Sequence, residues 1–267
     1  MKEWLTAIMT ATAWEMTPPK AYGTFHLSFM LIGFALCFGA AYALRRSSAR
    51  CMRNILLTVG GVLLVGEVYK QLFYTFYIGG GVYQWWIFPF QLCSVPMYLC
   101  LIAPLLPWKR VRHGMYHFMM LYNLLGGAIS FAEPSGLIHP YWTLTLHAFI
   151  WHMLLVFVGL YLGLSEQVEV RAHTYRNASL VFVGLCVVAF CINLLCWEVS
   201  GGSINMFFVG PKESSLAVFS WFATQFGWYV STALYIPSVC LGTYVIYLPF
   251  YHYKNKKKKA GTTNVPA

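Results

Sequence analysis

Seven apolar runs recur along the chain, at about 24–44, 54–78, 87–106, 114–132, 142–164, 176–198 and 228–250. Each is close to the roughly 20 residues that a helix needs to cross a bilayer, where the backbone has to satisfy its own hydrogen bonds. They predict an all-α polytopic membrane protein with seven spans over 24–253, an outer segment over 1–23 and a basic disordered tail over 254–267. Composition agrees, since 59% of residues are hydrophobic and only 10% are charged, against roughly 25% charged in soluble domains.

The charges that remain are arranged by topology. Eighteen Lys and Arg face eight acids, all Glu, an excess that on its own suits nucleic acid or an anionic surface. Fourteen of the cations fall in alternate connections: Arg45 to Arg53, Lys109 to Arg112, Arg171 and Arg176, and Lys254 to Lys259. Lys2, Lys20 and Lys212 lie in the others. Basic connections are retained in the cytosol, so the N-terminus is expected outside and the C-terminus in the cytosol. The expected partners are membrane lipids and not nucleic acid; oligomeric state is not legible. The first 23 residues lack a basic region followed by an apolar core, so no cleaved signal peptide is expected. Residues 1–18 suit a short interfacial helix with Trp4, Leu5, Ile8 and Trp14 on one side.

Seven of the eight cysteines fall within the apolar runs, which argues against a disulfide framework. There is no zinc-type Cys/His spacing, no phosphate-binding glycine loop and no lysine in the last run for a Schiff base, so neither metal nor cofactor is expected.

Polar residues inside the runs therefore carry the functional information, because ionisable groups at that depth are costly. At about 1.5 Å per helical residue, Cys93 lies about 10 Å from the outer edge, His152 about 15 Å, Glu67 about 16 Å and Lys70 about 12 Å. Asn123 falls at about 14 Å, and His147 and Asn193 at about 8 Å, so all seven gather in the outer half as a polar cup. Glu67, Lys70 and Gln71 share a helix face by their i, i+3, i+4 spacing and form either a functional group or a structural ion pair. Asn123 and Asn193 suit interhelical hydrogen bonds. His147 and His152 diverge by about 140° around their helix, so one narrow site does not take both directly. In the stretch Phe88-Pro89-Phe90-Gln91-Leu92-Cys93-Ser94-Val95-Pro96, Pro96 is expected to kink a helix beside Cys93. A thiol there is either a small apolar filler or a nucleophile that a base such as His152 activates.

These motifs resemble the YwaF-like integral membrane family, which has seven spans and is related to a vertebrate membrane acyltransferase acting on ether phospholipids. Where that family has Leu-Pro-Leu-His-Leu-Cys, this chain has Phe88-Pro89-Phe90-Gln91-Leu92-Cys93, with Gln91 in place of the His. Ile150-Trp151-His152-Met153 and Leu160-Tyr161-Leu162 are similar to the family's fifth span. Asn205-Met206-Phe207, Pro211-Lys212 and Gly227-Trp228-Tyr229 are similar, more loosely, to a third block. The resemblance implies a bacterial plasma membrane and acyl transfer through a Cys93 thioester, with His152 as base and Gln91, Ser94 or loosened N–H groups facing the oxyanion. Gln91 hydrogen-bonds but does not shuttle protons, so the substitution bears on activity. The competing expectations are a small-molecule transporter, with its site beside Pro89, Pro96 and Pro237, or a ligand sensor using the same outer cup. A transporter needs a polar path to both sides, and the inner half of the sequence is poor in polar residues.

Overall fold

The computed structural model describes residues 2–262. Among these the chain is all-α, with no strand and a single isolated bridge between Glu15 and Tyr141. Its helices are α1 (Lys2–Thr12), α2 (Thr24–Ala43), α3 (Ala49–Leu72), α4 (Val95–Ile102), α5 (Lys109–Phe118), α6 (Leu124–Ala132), α7 (Trp142–Leu164), α8 (Thr174–Leu195), α9 (Ala217–Phe226) and α10 (Trp228–Thr262). Five helical segments are long and apolar enough to cross a membrane: Thr24–Arg46, Ala49–Ile78, Trp142–Leu164, Thr174–Leu195 and Trp228–Lys256. Large apolar side chains such as Leu31, Leu36, Val65, Leu180, Leu241 and Val245 stay exposed around the bundle, as a lipid-facing belt requires.

The remaining two predicted spans depart from a plain rod. Over 87–106 only Val95–Leu105 forms a continuous apolar helix, about 16 Å long and too short to cross alone. The expected kink at Pro96 is corrected: Pro96 sits in the first turn of α4, where its missing N–H has no helical partner to lose. The helix begins after Cys93 instead of bending beside it. The fourth predicted span is one rod made of α5, a wide π-turn at Met119–Asn123 and α6, the turn being wholly buried.

α7 is the axis of the bundle. Over its most apolar stretch 56% of residues are buried, against 6% for α2, which lies on its outer side. Glycines allow the close approach: a Cβ at Gly159 would come within 2.6 Å of Leu124, and one at Gly127 within 3.1 Å of the His152 carbonyl. On the other flank Phe25 and Phe29 of α2 pack on Phe149, and the Cys37 thiol donates to the Met153 carbonyl at 3.4 Å.

At one end of the bundle α1 packs against the π-turn Phe73–Ile78 that extends α3, with Met9 buried and Trp4 and Ile8 exposed. The helix stops at Thr12, short of the expected residue 18. Beyond it Met16 N–H donates to the Pro140 carbonyl, and Trp142 N–H to that of Trp14. The opposite, basic end is closed by Lys254, whose ammonium donates to the carbonyls of Leu164, Ser165 and Val168 at the end of α7. α10 runs on through the lysine run to Thr262; residues 263–267 of the expected tail lie outside the described residues.

Candidate functional site

The charged face of α3 folds as its spacing implies. The Lys70 ammonium lies 2.9 Å from Glu67 Oε2, and Gln71 Nε2 donates to Glu67 Oε1 at 2.7 Å. The carboxylate is 3% exposed and so depends on these partners, since a buried charge is tolerated only when paired and hydrogen-bonded. Gln71 Nε2 also donates to the Ile87 carbonyl at 2.7 Å. The ion pair thereby fastens the irregular stretch that carries Cys93. Lys70 itself sits 5.8 Å above the Trp151 ring of α7.

That stretch, residues 79–94, is held by local bonds in place of a helical ladder. Ser94 and Val95 N–H both donate to the Gln91 carbonyl, at 2.8 and 3.1 Å. Gln91 Nε2 donates back to the Trp86 carbonyl at 2.8 Å, and the Tyr98 hydroxyl to that of Pro89 at 2.8 Å. From across the bundle Trp151 Nε1 donates to the Cys93 carbonyl at 3.0 Å. The thiol is half-buried, next to the Ser94 hydroxyl and within electrostatic range of Lys70 and Glu67. Tyr235 of α10 reaches the same space. The Ser94 Oγ is buried beside that thiol.

The two histidines of α7 point apart. His147 tilts against Trp151, ring centroids 5.4 Å apart, with its Nε2 buried in the notch at Gly66, where a Cβ would stand 3.2 Å away. His152 Nδ1 donates to the Ala148 carbonyl at 2.7 Å. Because a carbonyl only accepts, this bond puts the proton on Nδ1 and leaves the Nε2 lone pair available as a base. Lys70 is an electrostatic neighbour of both rings. No hydrogen bond joins Cys93 to His152 among the described residues; the structure links them through Trp151, the neighbour of His152, which grips the Cys93 backbone.

Asn123 Nδ2 crosses from the π-turn to the Leu155 carbonyl of α7 at 3.2 Å, leaving its Oδ1 buried and unpartnered. Asn193 does not bridge two helices, as its depth suggested. Its Nδ2 donates to the Met206 carbonyl at 3.0 Å and its Oδ1 accepts from the Met206 N–H at 2.7 Å. It clamps the connection after α8, where Phe207 and Phe208 adopt positive φ angles of 56° and 54°. In the connection before α7, burial holds the His139 pKa below the ordinary imidazole range, partly offset by a bond to the Gly136 backbone.

Tyr98, Tyr235 and Gly66 complete the site without having been singled out in the sequence, and Trp151 was named there only within a motif and given no role. An indole N–H deep in an apolar run needs an acceptor, and that need was the signal for Trp151.

The TMEM164 family model matches residues 21–247, from the turn before α2 to well into α10. No curated protein and no solved structure matches the chain.

Proposed function

Because the chain belongs to the TMEM164 family of membrane proteins, we propose that it is an integral membrane lipid acyltransferase or lipid hydrolase working through a thioester on Cys93. The observation that carries this reading is the tautomer of His152: with Nδ1 committed to Ala148, Nε2 is the base that a thiol requires. The similarity of Phe88–Cys93 and Ile150–Met153 to acyltransferase-related motifs supports the same pair.

His152 Nε2 takes the thiol proton, and the Cys93 thiolate attacks the carbonyl carbon of a lipid ester. The C–O bond breaks and the lysolipid leaves as an alcohol, taking the proton from His152. A lysophospholipid hydroxyl, or water, then attacks the thioester and returns the thiol. The Ser94 hydroxyl and the Lys70 ammonium, both near the thiol, stabilise the developing oxyanion. Gln91, engaged with Trp86, shapes the turn and moves no proton. Binding of the ester closes the gap between Cys93 and His152, a tightening familiar when free enzymes take up substrate.

In this reading seven segments cross the plasma membrane: the five long helices, the α5–α6 rod, and α4 together with the irregular stretch that precedes it. The α1 end lies outside and the basic end in the cytosol.

Intact-mass spectrometry after incubation with a diacyl phospholipid tests it. The expected result is a hydroxylamine-sensitive acyl adduct that is absent from Cys93→Ala and forms at least about 100-fold more slowly in His152→Ala. An adduct that persists in Cys93→Ala, or no adduct and no lysolipid in the wild type, would overturn the proposal and leave the polar cup as a ligand-binding site.

A further inference from the structure

The basic end holds a cavity. A cleft of about 410 Å³ opens between the starts of α3 and α5, lined by Arg50, Arg53, Arg112, His113, Tyr116 and Gln167 among others, with no carboxylate in its wall. Of the acids nearby, Glu169 lies 2.6 Å from Arg171 and within electrostatic range of His113, and Glu166 lies 3.4 Å from Arg46. Arg112 donates one N–H to the Leu106 carbonyl at 3.0 Å, and among the described residues none of the three cleft arginines pairs with a carboxylate.

The helices that meet here make the missing charge more specific. Both α3 and α5 begin at the cleft, and neither has an acid in its first turn. Arg50 occupies that turn in α3, as Lys109, Arg110 and Arg112 do in α5. A helix start carries partial positive charge, so cations are the disfavoured choice there unless an anion sits between them. Guanidinium forks match the oxygens of phosphate in particular.

The surroundings favour a lipid as the source of that phosphate. Arg50 also borders a neighbouring groove of about 480 Å³, which follows the outer face of α3 past Asn54, Ile55, Thr58 and Val59. A cationic cleft joined at one arginine to an apolar, lipid-facing groove has the shape of a headgroup site with its acyl-chain track. We infer that this end of the protein binds the phosphate headgroup of an anionic membrane lipid, with one acyl chain lying along α3. The rise from Arg53 to Lys70 along α3 is about 25 Å, so this lipid sits toward the opposite membrane face from Cys93 and is not the ester attacked there.

Native mass spectrometry of the full-length protein, titrated with dioleoyl phosphatidic acid, dioleoyl phosphatidylcholine or inorganic phosphate, tests the assignment. Phosphatidic acid is expected to give a retained adduct that phosphatidylcholine does not match and inorganic phosphate does not displace. Arg53→Gln/Arg112→Gln should weaken it about 25-fold, at about fivefold for each cation removed near an anionic group. Arg171→Gln, exposed at the same end but outside the cleft, should change it by less than about twofold. If the double variant fails to fold, the exposed Arg50→Gln alone should still cost about fivefold. Equal losses in Arg171→Gln would mean a diffuse surface charge, displacement by inorganic phosphate would make free phosphate the ligand, and equal binding of phosphatidylcholine would remove the charge requirement. Each of these overturns the inference.

Discussion

Two irregular stretches interrupt the helices at the α1 end, residues 79–94 before α4 and the connection between α8 and α9, and they are fastened by opposite chemistry. The first is held through Gln71 by the Glu67–Lys70 pair and through Trp151 by an indole N–H. The second is held by a neutral amide, Asn193, bonded both ways to Met206. They meet where Phe90 stacks on Phe207 at 5.8 Å. A neutral clamp holds backbone and does nothing else. A charged one also sets an electric field, and here that field falls on the Cys93 thiol. The same mechanical need is met twice, and only one of the two solutions has chemical reach.

Unpairing the charged clamp is expected to have the largest effect. Lys70→Met leaves the Glu67 carboxylate buried without its cation and should lower unfolding stability by about 3–5 kcal/mol, measured by denaturant titration in detergent. The double variant Glu67→Gln/Lys70→Met should recover most of that stability, while the proposed acylation of Cys93 should be slower than in the wild type because the field of Lys70 is gone. If it is no more stable than Lys70→Met, the pair is not what holds the stretch. Asn193→Leu comes next: the Met206 N–H and C=O lose their partners, at about 1–3 kcal/mol, yet the rate of Cys93 acylation should be unchanged. A rate that falls with the stability would show the two stretches to be one unit. Trp151→Phe removes a single hydrogen bond and should cost about 0.5–1.5 kcal/mol, but it should slow acylation beyond what that loss of folded protein explains.

The smallest effect is expected at His139. Its folded pKa lies below the unfolded value of about 6.5 because burial disfavours the charged ring. As pH falls through about 6.5 the unfolded chain takes up a proton first, so stability is complete above that range and declines below it. Thermal unfolding between about pH 7.5 and 5 should show a shallower decline in His139→Gln than in the wild type. Parallel curves would assign the decline to other groups.

What was legible in the sequence was local. The fifth run, 142–164, coincides with α7 because it is unbroken and follows Pro140. The Glu67–Lys70–Gln71 face was readable because spacing on one helix decides which side chains meet. The third run misled because hydropathy reports apolar side chains and not how the backbone is bonded: Phe88, Pro89 and Phe90 are as apolar as a span, but their segment is held by Gln71, Gln91, Tyr98 and Trp151. The lysine run continues α10 without a break, since lysine is a good helix former. The grip of Trp151 on Cys93 and of Asn193 on Met206 depends on packing between distant segments, which no periodicity encodes.

The wide turn at Met119–Asn123 has a consequence for how the bundle is wired. An extra residue in one helical turn advances everything after it by about 100° around the axis, so the two halves of the α5–α6 rod are out of phase. The first half packs mainly on α8 and the second on α7. A single piece of chain thus serves as a splice between two helix pairs. Deleting one residue within the turn should let it close as a regular α-helix with Gly127 still against α7, whereas deleting one residue within α6 should turn the rest of that helix by about 100°.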